Sequence, residues 1–172
     1  MSKGYTYNNP GNLTPLPNNQ QWIGQNGTYM ADQTSVSFSS MAYGIAAMMK
    51  QVHTNITQHN CDTVYKLYDR WLSTDTISRA DKLAKSKRIA THLGVGVNAP
   101  VLDGNPTQLL ELAQGITHEE IPETISINDW QAGYNEYLRQ MGIMAAPAVE
   151  NEKPGLWVVF FAIALTTYIL AR

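Results

Sequence analysis

The residues of this chain best suited to chemistry are two adjacent carboxyls, Glu119 and Glu120. They follow Leu109, Leu112, Ala113 and Ile116, which recur at steps of three, one and three, the apolar stripe of an amphipathic helix. Extending that stripe by three or four residues reaches both glutamates. By angular position Glu120 lies nearer the centre of the stripe and Glu119 on its flank. A carboxyl at the end of an apolar stripe is partly desolvated, and desolvation favours the protonated form. A carboxyl that keeps its proton near neutrality is what a general acid needs to break a glycosidic bond. Glutamate is also common in last helical turns, so the pair alone fits a solvated helix end as well.

Other chemistries find fewer residues. The chain has no HExxH, no GxxxxGK[ST], no GxGxxG and no paired Cys or His at metal-ligand spacing. Neither a metal nor a cofactor is expected. His118 precedes Glu119, but no second histidine stands at the offset a zinc protease requires. The lone cysteine, Cys61, sits at an expected helix start, and fits an inert thiol better than a nucleophile served by His53 or His59. A single cysteine excludes an intramolecular disulfide framework. Twelve basic against fourteen acidic side chains leave a net charge of −2. That balance, with a pI near 6.0, opposes a nucleic-acid partner.

These residues need elements to hold them, and 172 residues suit one compact domain with a small appendage. Residues 1–37 are rich in Asn, Gln, Gly, Pro, Thr and Ser and read as a small β or irregular lobe. In YNNPGNL, Pro10-Gly11 predicts a type II turn with Gly11 at positive φ, and Asn8, Asn9 and Asn12 can bond around it. Asn26-Gly27 within WIGQNGTYM predicts a short hairpin, and the stretch to Phe38 an irregular segment or short strand. Helical periodicity then begins. Ser39 or Ser40 caps a helix ending near 55–60. A second helix follows Asp62, carrying Val64, Leu67, Tyr68 and Trp71. A third spans about 78–93, ends before Gly94 and bears Arg79, Lys82, Lys85, Lys87 and Arg88, the pattern of a solvated face or of a patch for anionic polymer or lipid headgroups. A fourth runs from Pro106, suited to a first turn, to Glu119. A fifth starts near Asn128. The expected fold is mainly α with a small β or irregular lobe.

Mean hydropathy is −0.26, an average that hides the last stretch, GLWVVFFAIALTTYILAR. It carries no charge between Lys153 and Arg172. Its roughly 17 apolar residues would make a helix of about 25 Å, at the lower end of what crosses a bilayer core. Trp157 and Tyr168 near its ends suit the water–lipid interface. We therefore expect a domain over residues 1–140, a linker over 141–154 and a single-pass anchor over 155–172. The first residues, MSKGYTYNNPGN, lack the apolar region of a secretory signal.

Asn8, Asn9, Pro10, Gly11, Asn12 and Leu13, followed by Trp22 and Gly24, Phe38, and Gly44-Ile45-Ala46-Ala47, form an ordered set. Later come Gly115-Ile116-Thr117-His118-Glu119, Pro122, Ile127 and Gly133. In this set the chain resembles a family of phage virion and prophage proteins with an N-N-N-P-G-N-I opening, W-x-G, a Phe step, G-I-R-A and a helix ending I-x-x-H-E-N-G. The resemblance covers about residues 4–135. It departs in two places: H-E-N-G is H-E-E-I here, and the arginine of G-I-R-A is Ala46.

The resemblance implies a lysozyme-like or lytic-transglycosylase-like muralytic protein. Its lobe precedes the Glu helix, so the order would be circularly permuted. Glu119 would be the acid by family position, with Glu120 the second choice. Asn9, Asn12, Trp22 and Tyr29 would line the sugar groove, with Trp22 stacking on a sugar face; the structural alternative is that Asn9 and Asn12 stabilise the turn and Trp22 packs the lobe on the helices. A lysozyme would need a second carboxylate, for which Asp32 is the candidate. The implied partners are peptidoglycan, a lipid membrane (of the particle or the host) and other virion proteins. The alternative is a structural membrane protein of the particle that keeps the fold without catalysis.

Overall fold

The computed structural model of the protein describes residues 1–29, 35–72, 77–101 and 105–143, without the side chains of residues 27–29. The expected anchor over 155–172, the linker from 144 onward and Asp32 lie outside the described residues. Among the described residues the architecture is mainly helical, with six α-helices and one two-stranded sheet. None of the described helices is long and apolar enough to cross a membrane.

The core is built on α2, Met41–His59, which starts where the Ser40 hydroxyl accepts the Tyr43 N–H. Ile45, Met48, Met49 and Val52 of this helix are fully buried, and burying each such side chain stabilises by about 1.5–3 kcal/mol. Ala46 and Ala47 are buried too, because α6 (Ile127–Gln140) lies along one side while α3 (Val64–Trp71) and α5 (Pro106–Glu120) cover others. The helix stops where Asn60 turns left-handed, φ 53°, a conformation Asn tolerates at a helix end. The fourth helix, α4 (Arg79–His92), packs against α3 and α5.

Side-chain caps begin the other long helices: Thr63 for α3, Ser78 for α4, Asn105 ahead of Pro106 for α5, and Ser126 for α6. The helices fall within a residue or two of the expected spans. The loop after α4 runs back along the start of α3, where the Tyr65 N–H donates to the Val97 carbonyl and the Val101 N–H to that of Asp62.

The small lobe differs from expectation in two ways. A short helix, α1 (Lys3–Thr6), precedes the Asn-rich turn. The hairpin is also wider than Asn26-Gly27 predicts: β1 (Gln25–Tyr29) contains both residues and pairs antiparallel with β2 (Val36–Phe38). Gln25 faces Phe38 and Tyr29 faces Val36, so β1 spends more residues than β2 over the same span. That mismatch is a bulge or irregularity of the ladder between Gln25 and Tyr29.

Candidate active site

The turn comes first, because it positions one wall of the site. It is closed by the Asn12 N–H donating to the Asn9 carbonyl at 3.0 Å. The left-handed positions are Asn8 (φ 55°) and Asn12 (φ 49°), and Gly11 is not among the positive-φ residues. The expected type II turn is therefore replaced by one in which asparagines supply the left-handed backbone, as short polar side chains can. Glycine serves for close approach instead. A Cβ on Gly11 would come within 2.8 Å of Trp71 Cζ2. One on Gly44 would lie 1.8 Å from the Asn8 carbonyl oxygen. The turn thus rests directly on the backbone of α2.

Asn9 is fully buried. Its Nδ2 donates to the carbonyls of Leu13 (2.9 Å) and Val36 (2.8 Å), and its Oδ1 accepts the Leu13 N–H at 2.8 Å. It fastens the turn to β2 with its side-chain amide, the turn-stabilising role. Asn12 faces the other way. Its Nδ2 donates to Glu120 Oε2 at 3.1 Å.

The two glutamates at the end of α5 diverge. Glu120 meets the turn on one oxygen, and its other oxygen, Oε1, accepts the Tyr68 hydroxyl at 2.9 Å. Glu119 turns toward α4, where Arg88 forks onto it: Nε to Oε1 at 2.8 Å and Nη2 to Oε2 at 2.6 Å. The Glu119 side chain is only 9 % exposed, and Arg88, on the outer side, 58 %. The hydrogen bond and charge of Glu119 hold the guanidinium pKa above its ordinary value. The α5 helix end therefore offers one carboxyl to the turn and commits the other to an ion pair between helices.

Trp22 lies in the core, 7 % exposed, with its indole N–H donating to the Thr14 carbonyl at 3.0 Å. In this position it packs the lobe. Tyr29 closes β1, and its side chain lies outside the described residues. Cys61 is buried, and loss of solvent pushes its thiol pKa up, the opposite of an activated nucleophile. His53 shares a 2.9 Å hydrogen bond with the Tyr137 hydroxyl. Sequence reasoning missed Tyr68 and Arg88 as partners of the carboxyls. Tyr68 was readable only as a core position of α3, and Arg88 only as one of five bases on a solvated face. Lys82 of that face also reaches an acid, Asp69, at 3.2 Å.

A cavity of about 350 Å³ opens on another side of α5, lined by Gln114, Thr117 and His118, by His92 from α4 and by Trp130 from α6. The rings of His92 and His118 stand 6.2 Å apart. Among the described residues no group of three or more His, Cys, Asp or Glu gathers to hold a metal ion. Comparison with protein-family models finds no match, and none of the curated proteins matches the chain.

Proposed function

We propose that this chain cleaves peptidoglycan glycan strands as a membrane-anchored protein of a phage particle, opening the cell wall locally during genome delivery. In this reading the domain over residues 1–140 is lysozyme-like with a circularly permuted order, and residues 155–172 anchor it. The observation that carries the reading is Glu120. It ends an apolar-striped helix, is half-buried, and is tied through Asn12 to the Asn-rich turn of the small lobe. Glu119 is committed to a charged, forked pair with Arg88, whereas the two donors on Glu120 are neutral, so the acid is assigned to Glu120.

Glu120 then donates its proton to the glycosidic oxygen between two sugars as the C1–O bond breaks. In a transglycosylase the resulting carboxylate takes the C6 hydroxyl proton while O6 bonds to C1, which closes a 1,6-anhydro ring and returns the acid to its starting form. No second carboxylate is needed. A lysozyme would use water and a second acid.

One observation favours the competing reading of a structural particle protein: the cavity beside Trp130 lies on a different side of α5 from both carboxyl contacts. Zymography on peptidoglycan gels separates the two. Clearing by the wild type and by Glu119→Gln, with none from Glu120→Gln, supports cleavage at Glu120. Absence of clearing by the wild type supports the structural protein. Mass spectra of the digest then identify the reaction, anhydro-muropeptides for a transglycosylase and reducing ends for a lysozyme. For the anchor, the full chain should partition into detergent or vesicles, and a chain lacking residues 155–172 should stay in the aqueous phase.

A further inference from the structure

Tyr68 lies on α3, fully buried, and its hydroxyl reaches across to Glu120 Oε1 at 2.9 Å. A buried phenol needs an acceptor for its O–H. A phenylalanine would fill the same volume in the core, so what the hydroxyl adds is a donor fixed at one oxygen of the carboxyl. Asn12 supplies a second donor to the other oxygen at 3.1 Å. The terminal torsion of a glutamate is ordinarily broad. With one donor on each oxygen, from two different elements, the carboxyl plane has a single orientation. Each anchor is itself held: Tyr68 by its packing in the core, and Asn12 by a turn seated on Gly44 and fastened by Asn9.

We propose that Tyr68 is the positioning residue of Glu120, setting the direction in which the carboxyl offers its proton. Its complete burial excludes a direct part, because no substrate atom can reach the hydroxyl. The role rests on the glycosidic cleavage proposed above. Orientation of an acid matters in the transition state and little in substrate binding, so its loss belongs in kcat and not in KM. A misplacement of about 1 Å costs on the order of 100-fold in rate.

The test is turnover of solubilised peptidoglycan by the full chain, comparing wild type, Tyr68→Phe, Asn12→Ala and the double variant, with thermal unfolding of each. The expected result for Tyr68→Phe is a kcat about 10- to 100-fold lower, KM unchanged within about twofold, and a melting temperature within a few degrees of wild type. Asn12→Ala should lower kcat as well, and the double variant further than either. A folded Tyr68→Phe chain with wild-type kcat overturns the positioning role and leaves the cleavage reading standing. A Tyr68→Phe chain that does not fold makes the residue structural and also overturns it. An inactive wild type overturns both.

Discussion

Arg88 grips Glu119 with both arms of its guanidinium, Nε–Oε1 2.8 Å and Nη2–Oε2 2.6 Å, joining the last turn of α5 to α4. The adjacent Glu120 has two neutral donors, Asn12 and Tyr68. Two neighbouring residues of one type thus hold different positions, and their variants should behave differently. Glu119→Gln should lower the melting temperature modestly, because Arg88 is largely exposed and solvent screens the pair, and should leave turnover near wild type. Glu120→Gln should keep the fold and lower turnover by about 10²- to 10⁴-fold, the usual range for a lost general acid. Equal losses of activity from the two substitutions would contradict this division.

The long helices were legible because their signals are local: Ser40, Thr63, Ser78, Asn105 and Ser126 each stand one residue ahead of a helix and cap it. The Leu109–Ile116 stripe also runs into both carboxyls at the end of α5, where the two side chains take different directions. Their partners were not legible. Tyr68 lies 52 residues from Glu120 and Arg88 31 from Glu119, and helical periodicity says only that Tyr68 faces inward. Asn9 and Asn12 are the same residue type three apart, and composition does not say which turns into the core. Asn26-Gly27 carried a hairpin signal at the wrong place: both residues lie inside β1, and Asn26 is not among the positive-φ positions.

Gly44 is the seat of the turn. Alanine there gains about 1 kcal/mol in helix propensity, but its Cβ would sit 1.8 Å from a backbone oxygen of Asn8. Backbone does not yield as a side-chain tip would, so the turn must lift off α2. The net expectation for Gly44→Ala is a loss of about 3 kcal/mol or more, the upper end for overpacking, read as a lower denaturant midpoint. Activity should fall even at temperatures where the variant is folded, because Asn12 moves with the turn. A variant as stable as wild type would mean that the turn is not seated on this glycine.

Asn9 makes a prediction that separates architecture from ligand binding. Alanine would take the Asn9 side chain from the Leu13 N–H and the Val36 carbonyl, each at about 1–3 kcal/mol when buried, while the Leu13 carbonyl would keep the Val36 N–H; the sum is a large part of a typical domain's stability. Aspartate is the sharper test. It keeps the acceptor for the Leu13 N–H and replaces the donor with an oxygen facing two carbonyls. Asn9→Asp should therefore unfold the domain about as readily as Asn9→Ala. A folded Asn9→Asp chain that had lost only sugar binding would return this residue to the groove.

Acid should destabilise the protein through identifiable carboxylates. Glu136 is held below the ordinary carboxylate range first by the forked hydrogen bond from Arg139, with Gln140 adding a second donor. Glu123 is held low by the Ser2 hydroxyl, and Asp62 by Lys66 one helical turn on. In each case the folded value lies below the unfolded one, about 4.3 for Glu and 3.9 for Asp. The stabilisation is therefore fully present above the unfolded value and is lost as pH falls through the folded value. The melting temperature should vary little from these groups between about pH 7 and pH 5, and fall below about pH 4. Glu136→Gln and Glu123→Gln should each melt below wild type at neutral pH and converge on it in acid, once pH has fallen through the lowered folded values and the wild-type carboxylates are protonated as well. A gap that stays constant across the range would show that packing, and not the charge of these carboxylates, carries their contribution.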